Sequence, residues 1–111
     1  MKKIFLGTSM IIIFAYLILN FNACKKETTC SSTPTYDGEV ASIVNANCAI
    51  SGCHGSGSTI NGDFSTYSGI SAKSANVKTK VSDGSMPPSG SLSDSDVQTI
   101  SCWVDGGALE K

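Results

Sequence analysis

Apolar residues recur at helical spacing in the segment that follows Tyr36. The apolar positions are Val40, then Ile43 three residues later and Val44 directly after it. Polar or small residues occupy the positions around them. Side chains with this spacing share one face of an α-helix. The pattern therefore predicts one amphipathic helix over residues 37–47, which leads directly into a cysteine at its C-terminal end.

A second segment with helical spacing lies in the middle of the chain. Phe64, Tyr67 and Ile70 are each three positions apart, which predicts a short helix over residues 64–74. Gly69 lowers the helix propensity of this segment, because glycine loses more backbone freedom than other residues do. The ANVKTKV sequence that follows is expected to add another helical turn.

Two stretches have the composition of loops. Residues 55–63 read GSGSTINGD, which is rich in glycine and serine. Residues 82–91 read SDGSMPPSGS, and Pro87 and Pro88 prevent this stretch from forming a helix, because proline lacks a backbone N–H and restricts the residue before it. No repeat and no clear strand pattern accompanies them, so the sequence favours an all-α fold with long loops.

The last element has the clearest boundaries. Ser93 is suited to cap a helix, and Asp96 three residues later completes a capping box. Leu92, just before the cap, is placed to pack against Val97 across the first turn. The glycine pair at 106–107 is expected to end the helix. The apolar stripe of this helix consists of Val97, Ile100, Trp103 and Val104.

The N-terminal segment is typical of a secretion signal. Lys2 and Lys3 precede a mainly apolar run of 16 residues, 4–19, and the small residue Ala23 comes just before Cys24. The run is a little long for a signal core and shorter than the roughly 20 residues that a membrane-spanning helix needs. Cleavage of the segment is therefore the favoured interpretation.

The FNAC sequence that ends at Cys24 resembles the lipobox of bacterial lipoproteins, with Phe21 at the place where leucine is usual. The resemblance implies a lipoprotein signal peptide at residues 1–23 and a lipid on Cys24. Residues 24–35 are polar, contain Pro34 and are expected to form a tether. The protein would then be exported and held on the periplasmic or cell-surface side of a membrane. A plain cleaved signal and an uncleaved anchor are the alternatives.

The charge balance argues against one class of partner. Residues 24–111 contain six lysines and nine acidic side chains, which gives a formal charge of −3. Such a chain is unsuited to nucleic acid, whose binding depends on basic surfaces. The sequence has no arginine, so a planar, bidentate grip on phosphate or carboxylate is not expected either.

Large apolar residues are few in the mature chain. Domains of this size have marginal cores, so additional stabilisation is expected from a large, flat apolar cofactor or from disulfides. Export and five cysteines permit the second of these. The candidate core residues are Val40, Ile43, Val44, Ile50, Ile60, Phe64, Tyr67, Ile70, Val77, Val81, Met86, Leu92, Val97, Ile100, Trp103, Val104 and Leu109.

Candidate chemistry lies in residues 47–55, which read NCAISGCHG. Cys48 and Cys53 are separated by four residues, and His54, the only histidine, follows the second cysteine directly. The related Cys-x-x-Cys-His pattern marks covalent attachment of c-type haem. Each thiol adds to one haem vinyl group, and the histidine beside the second thioether is thereby held under the iron as its proximal ligand. Small residues within the interval would let the longer loop bulge.

Two other interpretations fit the same residues. Cys48 and Cys53 could form a disulfide, with His54 as an ordinary surface residue. They could also join His54 and another cysteine around zinc, which binds sulfur and nitrogen ligands. Zinc is disfavoured because adjacent residues are awkward ligands for one tetrahedral ion, and no second ligand pair has the spacing of a zinc finger.

Met86 is the candidate for a second iron ligand. Met1 and Met10 belong to the signal segment, so Met86 is the one methionine of the mature chain. A thioether is a suitable soft ligand for haem iron, and the two prolines that follow Met86 would hold it in place with little entropy left to lose. The alternative is a methionine that fills a gap in the core.

The order of these features resembles the small class I c-type cytochromes, especially membrane-attached bacterial domains. An amphipathic helix, C-x4-C-H, a variable middle, MPP and a capped helix containing WVDGGA span residues 36–109. The resemblance implies that residues 36–111 form a cytochrome c-like domain, with three to four short helices and long loops around one covalent haem c. The first and last helices cross in that fold. By the same resemblance, Cys48 and Cys53 carry the thioethers, His54 is the proximal iron ligand and Met86 the distal one.

The resemblance also bears on the two remaining cysteines. Cys30 lies in the tether and Cys102 on the final helix. If the terminal segments meet as they do in those cytochromes, a Cys30–Cys102 disulfide would clasp the tether to the body of the domain. Free thiols or a bridge between two molecules are the alternatives.

The function expected from these residues is electron transfer rather than catalysis. With His54 and Met86 both bound, the iron has no open position for a substrate, so the centre suits one-electron exchange with redox protein partners. Lys73, Lys78 and Lys80 could form a basic docking patch, although solvated lysines are the ordinary case. A haem-based sensor or peroxidase-like domain would need Met86 to dissociate, and no arginine or second histidine is present to assist peroxide cleavage. A haem-free, disulfide-stapled interaction module is the third hypothesis.

Overall fold

The computed structural model describes residues 29–59 and 61–111. This part of the chain is mostly helical and contains no strand, in agreement with the all-α class expected from the sequence. The expected signal peptide at 1–23, the expected lipidation site Cys24 and the first residues of the expected tether lie outside the described residues.

The first helical element contains the amphipathic segment expected before the cysteine pair. A π-helical turn, Tyr36–Val40, runs directly into helix α1, Ala41–Asn47. The N–H of Val40 donates to the carbonyl of Thr35 (3.3 Å), which is the five-residue spacing of a π-helix. Thr35 caps the turn, since its hydroxyl accepts from the N–H of Gly38. The helix expected over residues 37–47 is confirmed.

The middle of the chain forms two helices, whose lengths differ from those expected. Helix α2 covers only Tyr67–Ser71, because the Thr66 hydroxyl accepts from the N–H of Gly69 and so starts the helix late. Helix α3, Ser74–Ser82, is longer than the single turn expected from ANVKTKV. Its apolar residues Val77 and Val81 lie four positions apart and are both buried. Tertiary packing of this short stripe extends a helix that has weak sequence signals.

The final helix, α4, covers Asp94–Asp105 and confirms the expected boundaries. The Ser93 hydroxyl accepts from the N–H of Asp96 (3.1 Å), as a capping serine does. At the other end, the N–H of Gly106 donates to the carbonyl of Cys102 (2.9 Å) and closes the last turn. Packing places α3 against α4, α2 against α3, and the π-helical turn against α4. The first and last helical elements thus meet through the turn that precedes α1.

The residues after α4 fold back over Trp103 and join three parts of the chain. The Trp103 side chain is completely buried, and its indole N–H donates to the carbonyl of Leu109 (2.9 Å). The N–H of Tyr36 donates to the same carbonyl, and the Tyr67 hydroxyl donates to the carbonyl of Ala108, each at 2.9 Å. The Tyr36 ring lies 5.5 Å from the Tyr67 ring and 6.3 Å from the Trp103 ring, measured between centroids. This cluster ties the C-terminal segment to the start of the domain.

The core agrees only in part with the expected residues. Tyr36 and Ala108 are buried, although neither was expected in the core, and Ile60 lies outside the described residues. Three of the expected residues are substantially exposed: Ile50 (43%), Met86 (39%) and Leu109 (48%). All three are outside the helices, where hydrophobicity alone does not decide which way a side chain points. The largest fully buried side chains are Trp103, Ile70, Ile100, Val40 and Val44.

The described part of the expected tether lies against the domain. Cys30 and Cys102 form a disulfide with their Cα atoms 5.6 Å apart, which confirms the pairing suggested by the resemblance. The Gln98 side-chain amide donates to the carbonyl of Thr29 (3.1 Å), and Pro34 is buried. The tether therefore follows α4 before it enters the π-helical turn.

None of the helices in the described residues combines the length and apolar content that crossing a bilayer would require.

Removal of the Cys30–Cys102 disulfide should lower the free energy of unfolding by about 4 kcal/mol, because the bridge closes a loop with a sequence separation of 72 residues and restricts the unfolded chain. Urea denaturation of the Cys30→Ala/Cys102→Ala variant would measure the loss. A reductant should lower the stability of the wild-type protein and leave that of the variant unchanged. Equal denaturation midpoints for the two proteins without reductant would contradict this prediction.

Candidate functional site

The candidate site begins where α1 ends. The N–H of Cys48 donates to the carbonyl of Val44 (2.8 Å) and completes the last turn of the helix. The carbonyl of Cys48 then accepts from the N–H of His54 (3.1 Å), so both ends of the C-x4-C-H segment are joined. Within it, the carbonyl of Ile50 accepts from the N–H groups of Cys53 (3.0 Å) and Gly55 (3.1 Å). The four-residue interval is thus a compact, internally hydrogen-bonded turn.

The His54 ring has one nitrogen engaged by the protein. Its Nδ1 lies 3.1 Å from the carbonyl oxygen of Gly62. A carbonyl only accepts hydrogen bonds, so this geometry assigns the proton to Nδ1 and leaves the lone pair of the neutral ring on Nε2. The other ring nitrogen, Nε2, makes no hydrogen bond to another described residue. In this arrangement Nε2 is the ring nitrogen that a metal could use.

Phe64 supports the same ring. The rings of His54 and Phe64 are stacked, with centroids 4.2 Å apart and planes within 6° of parallel. The N–H of Phe64 also donates to the carbonyl of His54 (2.8 Å). Phe64 is buried, so it holds one face of the imidazole against the core.

The two cysteines of the segment are free thiols in the structure. Cys48 and Cys53 are both half-buried and are not joined to each other, unlike Cys30 and Cys102. Burial raises the pKa of the Cys48 thiol, and the proximity of Cys53 adds to that effect. Cys48 is therefore protonated at neutral pH.

Met86 lies in a loop beyond α3. The N–H of Met86 donates to the carbonyl of Lys80 (3.1 Å), which places the residue directly after the helix. Just before it, the Asp83 carboxylate accepts from the backbone N–H (2.8 Å) and the hydroxyl of Ser85. These contacts lower the pKa of Asp83, with the Ser85 hydroxyl as the largest cause. The exposed Met86 side chain does not belong to the core, so it does not act as a gap filler in this structure.

The candidate docking lysines differ in their surroundings. Lys78 forms an ion pair with Asp105, which links α3 to α4. The aliphatic part of Lys73 lies close to Gly62, beside the segment that accepts the histidine proton. The docking patch of Lys73, Lys78 and Lys80 stays a prediction.

No three His, Cys, Asp or Glu side chains within residues 29–59 and 61–111 lie together as ligands for one metal ion. Haem iron needs only one or two protein ligands, because the porphyrin supplies the other four.

Two residues of the site were not singled out from the sequence. Gly62 supplies the acceptor for the histidine, and Asp63 bonds across the loop to the N–H of Gly57 (2.9 Å). Hydrogen bonds from the Ser65 hydroxyl, the Gly57 N–H and the Ser65 N–H, in that order, lower the pKa of Asp63. The only sequence signal was the NGD turn composition, which predicts a loop without indicating its partner.

Comparisons with known proteins give no family for this chain. No protein-family model matches it, no curated protein matches it, and no solved structure matches it.

The raised pKa of Cys48 predicts how this thiol reacts in haem-free protein. In a Cys24→Ser/Cys53→Ser variant, alkylation of Cys48 should require a higher pH in the folded chain than in the same chain unfolded in urea, because burial disfavours the thiolate. The rate of iodoacetamide labelling measured against pH gives both midpoints. The disulfide-bonded cysteines do not react, and coincident midpoints would disprove the effect of burial.

Proposed function

We propose that this protein is a mono-haem c-type cytochrome that passes single electrons between redox proteins outside the cytoplasm. The observation that carries the proposal is the state of His54. Its Nδ1 is committed to the carbonyl of Gly62 at 3.1 Å, and the residue directly follows a free cysteine. A histidine fixed through one nitrogen presents the other to a metal, as haem-ligating and other metal-ligating histidines do.

The thiols of the site are consistent with covalent attachment. Cys48 and Cys53 are both reduced, both partly accessible, and carried on one hydrogen-bonded turn with His54. In the proposal they form the two thioethers to haem c, and His54 binds the iron on the proximal side. Bound haem supplies an iron that alternates between its ferrous and ferric states by gaining or losing one electron.

Exposed apolar side chains give independent support. Ile50 lies between the two cysteines and Met86 precedes the proline pair, and both are large apolar residues left exposed in the described chain. Burial of apolar surface contributes roughly 25 cal/mol per Å². A flat apolar ring covering these side chains would therefore stabilise a domain whose own core is small. In that arrangement Met86 is the distal ligand.

The proposal includes the architecture of the cytochrome c-like fold for residues 36–111. Short helices separated by long loops, with the start of the domain packed against its last helix, are compatible with that fold. In the proposal, the turn at residues 48–54 and the Met86 loop would hold the haem.

The proposed location is the periplasmic or cell-surface side of a membrane. The signal-like N-terminus and the lipobox resemblance at Cys24 support export and lipid anchoring. The Cys30–Cys102 disulfide is consistent with an oxidising compartment. The proposed partners are redox proteins, with the membrane reached through the lipid and with no role for nucleic acid.

Covalent haem should disappear when both attachment thiols are removed. Protein made with haem-attachment machinery should stain for haem on a denaturing gel, whereas the Cys48→Ser/Cys53→Ser variant should not, because no thioether can form. Cys30→Ala/Cys102→Ala is the matched control, since it removes two cysteines elsewhere and should keep the stain. An unstained, colourless wild-type protein would refute the proposal and favour the haem-free, disulfide-stapled module.

One observation favours a second candidate function, a haem-based sensor or peroxidase-like domain. The Met86 side chain is 39% exposed and sits in a loop, so packing does not hold its thioether in place. A ligand held in this way could be displaced by a small molecule that binds iron. The two functions differ in how firmly Met86 binds.

Carbon monoxide distinguishes them. The reduced wild-type cytochrome should bind carbon monoxide slowly or incompletely, because Met86 occupies the distal position, whereas Met86→Ala should keep covalent haem and bind it rapidly. Leu109→Ala, which truncates another exposed apolar residue, should behave as wild type. Rapid stoichiometric binding by the wild-type protein would instead support the sensor or peroxidase-like function.

A further inference from the structure

The carbonyl that accepts the hydrogen bond from His54 belongs to a loop that other contacts hold on both sides of the histidine partner. Gly62 has a φ of 85°, a left-handed conformation that glycine adopts without strain. Its carbonyl lies 3.1 Å from Nδ1 of His54. The direction of that carbonyl depends on the peptide that joins Gly62 to Asp63, so whatever holds Asp63 also orients the acceptor.

The carboxylate of Asp63 spans the loop. One oxygen, Oδ2, accepts from the N–H of Gly57 at 2.9 Å. Gly57 lies in the part of the loop that directly follows His54. The other, Oδ1, accepts from the N–H of Ser65 at 2.8 Å and from the Ser65 hydroxyl at 2.5 Å. Asp63 therefore links the start of the loop, at Gly57, to its end, at Ser65.

The backbone of Asp63 is held as well. A Cβ added to Gly69 would collide with the carbonyl oxygen of Asp63, so helix α2 lies as close as glycine allows to the peptide that joins Asp63 to Phe64. Gly69 was noted in the sequence only as a weakness in a helix. The close contact explains its presence and shows that residue 63 is fixed by α2 in addition to its own carboxylate.

We infer that Asp63 is a positioning residue for the axial histidine: by fixing the peptide after Gly62, it sets the hydrogen bond from Nδ1 of His54 and thereby tunes the reduction potential of the proposed haem. The inference rests on the proposed function. A hydrogen bond at Nδ1 makes the imidazole a stronger electron donor, and such outer contacts control ligand basicity and redox potential. A stronger donor favours ferric iron, so a weakened hydrogen bond should raise the potential.

The variant Asp63→Asn tests this role with little change in shape. Asparagine keeps one oxygen acceptor, but its NH₂ group cannot accept from a backbone N–H, so one of the two arms is lost. We expect the ratio of reduced to oxidised haem at a given ambient potential to rise roughly tenfold, which is about 59 mV for one electron. Redox titration of the haem-loaded protein measures the shift.

Two controls separate positioning from a simple loss of negative charge. Glu110→Gln removes one charge from an exposed residue distant in sequence from the loop and should shift the potential little. Salt screens exposed charges, so an electrostatic effect should fade at 1 M salt, whereas an effect of histidine geometry should persist. Gly69→Ala keeps the charge of Asp63 but should displace its carbonyl. It should therefore raise the reduction potential, as Asp63→Asn does.

A spectroscopic measurement follows the hydrogen bond itself. In nitrogen-15 NMR spectra of the reduced protein, the Nδ1 proton of His54 should exchange with solvent faster in Asp63→Asn than in wild type or Glu110→Gln. An unchanged exchange rate, or a potential shift that matches Glu110→Gln or vanishes in salt, would overturn the positioning role. If the wild-type protein carries no haem, the proposed function fails, and this inference fails with it; retained haem with an unmoved potential refutes the positioning role alone.

Discussion

The shared carbonyl of Leu109 is the interaction on which the arrangement of the domain depends. It accepts from the indole of Trp103 in α4 and from the backbone of Tyr36 at the start of the first helical element, each at 2.9 Å. The two termini of the domain are thereby joined at a partly buried carbonyl, where the loss of a hydrogen-bond partner would be costly. Because Tyr36 begins the π-helical turn, this contact fixes where the first helical element starts and holds that turn against α4.

The position of the candidate site follows from that contact. Helix α1 ends at Asn47, so its last turn sets the position of Cys48. The hydrogen bond from the N–H of His54 to the carbonyl of Cys48 then sets the position of the histidine backbone. Phe64 then connects the histidine to the core by stacking and by a backbone hydrogen bond. A chain of short-range contacts thus links the packing of the termini to the orientation of one imidazole ring.

The pattern of buried and exposed apolar side chains is the one expected of a domain that is completed by a cofactor. Trp103, Ile70 and Ile100 are fully buried, and the disulfide secures the segment before Tyr36 to α4. Ile50 and Met86, in contrast, stay exposed in the two segments that the proposal assigns to haem. Charged and polar contacts near those segments are local: the Asp63 and Asp83 carboxylates each bind the N–H two residues later. Both proposed axial ligands therefore lie near turns that are closed by local hydrogen bonds.

The sequence by itself determined the local features of this protein. The capping serine at 93, the glycines after α4 and the apolar spacing in α1 each act within a few residues, so the helices that they delimit follow from the sequence alone. The residue order Cys48, Cys53, His54 is likewise a local pattern, and the haem attachment that it predicts stays a proposal. Only the tertiary structure decided that Tyr36 is buried and that Ile50 and Met86 are exposed. It also decided that the carbonyl of Gly62 accepts the hydrogen bond from His54. These outcomes depend on contacts between residues far apart in the chain or on the path of a loop, and neither periodicity nor composition records which segments meet.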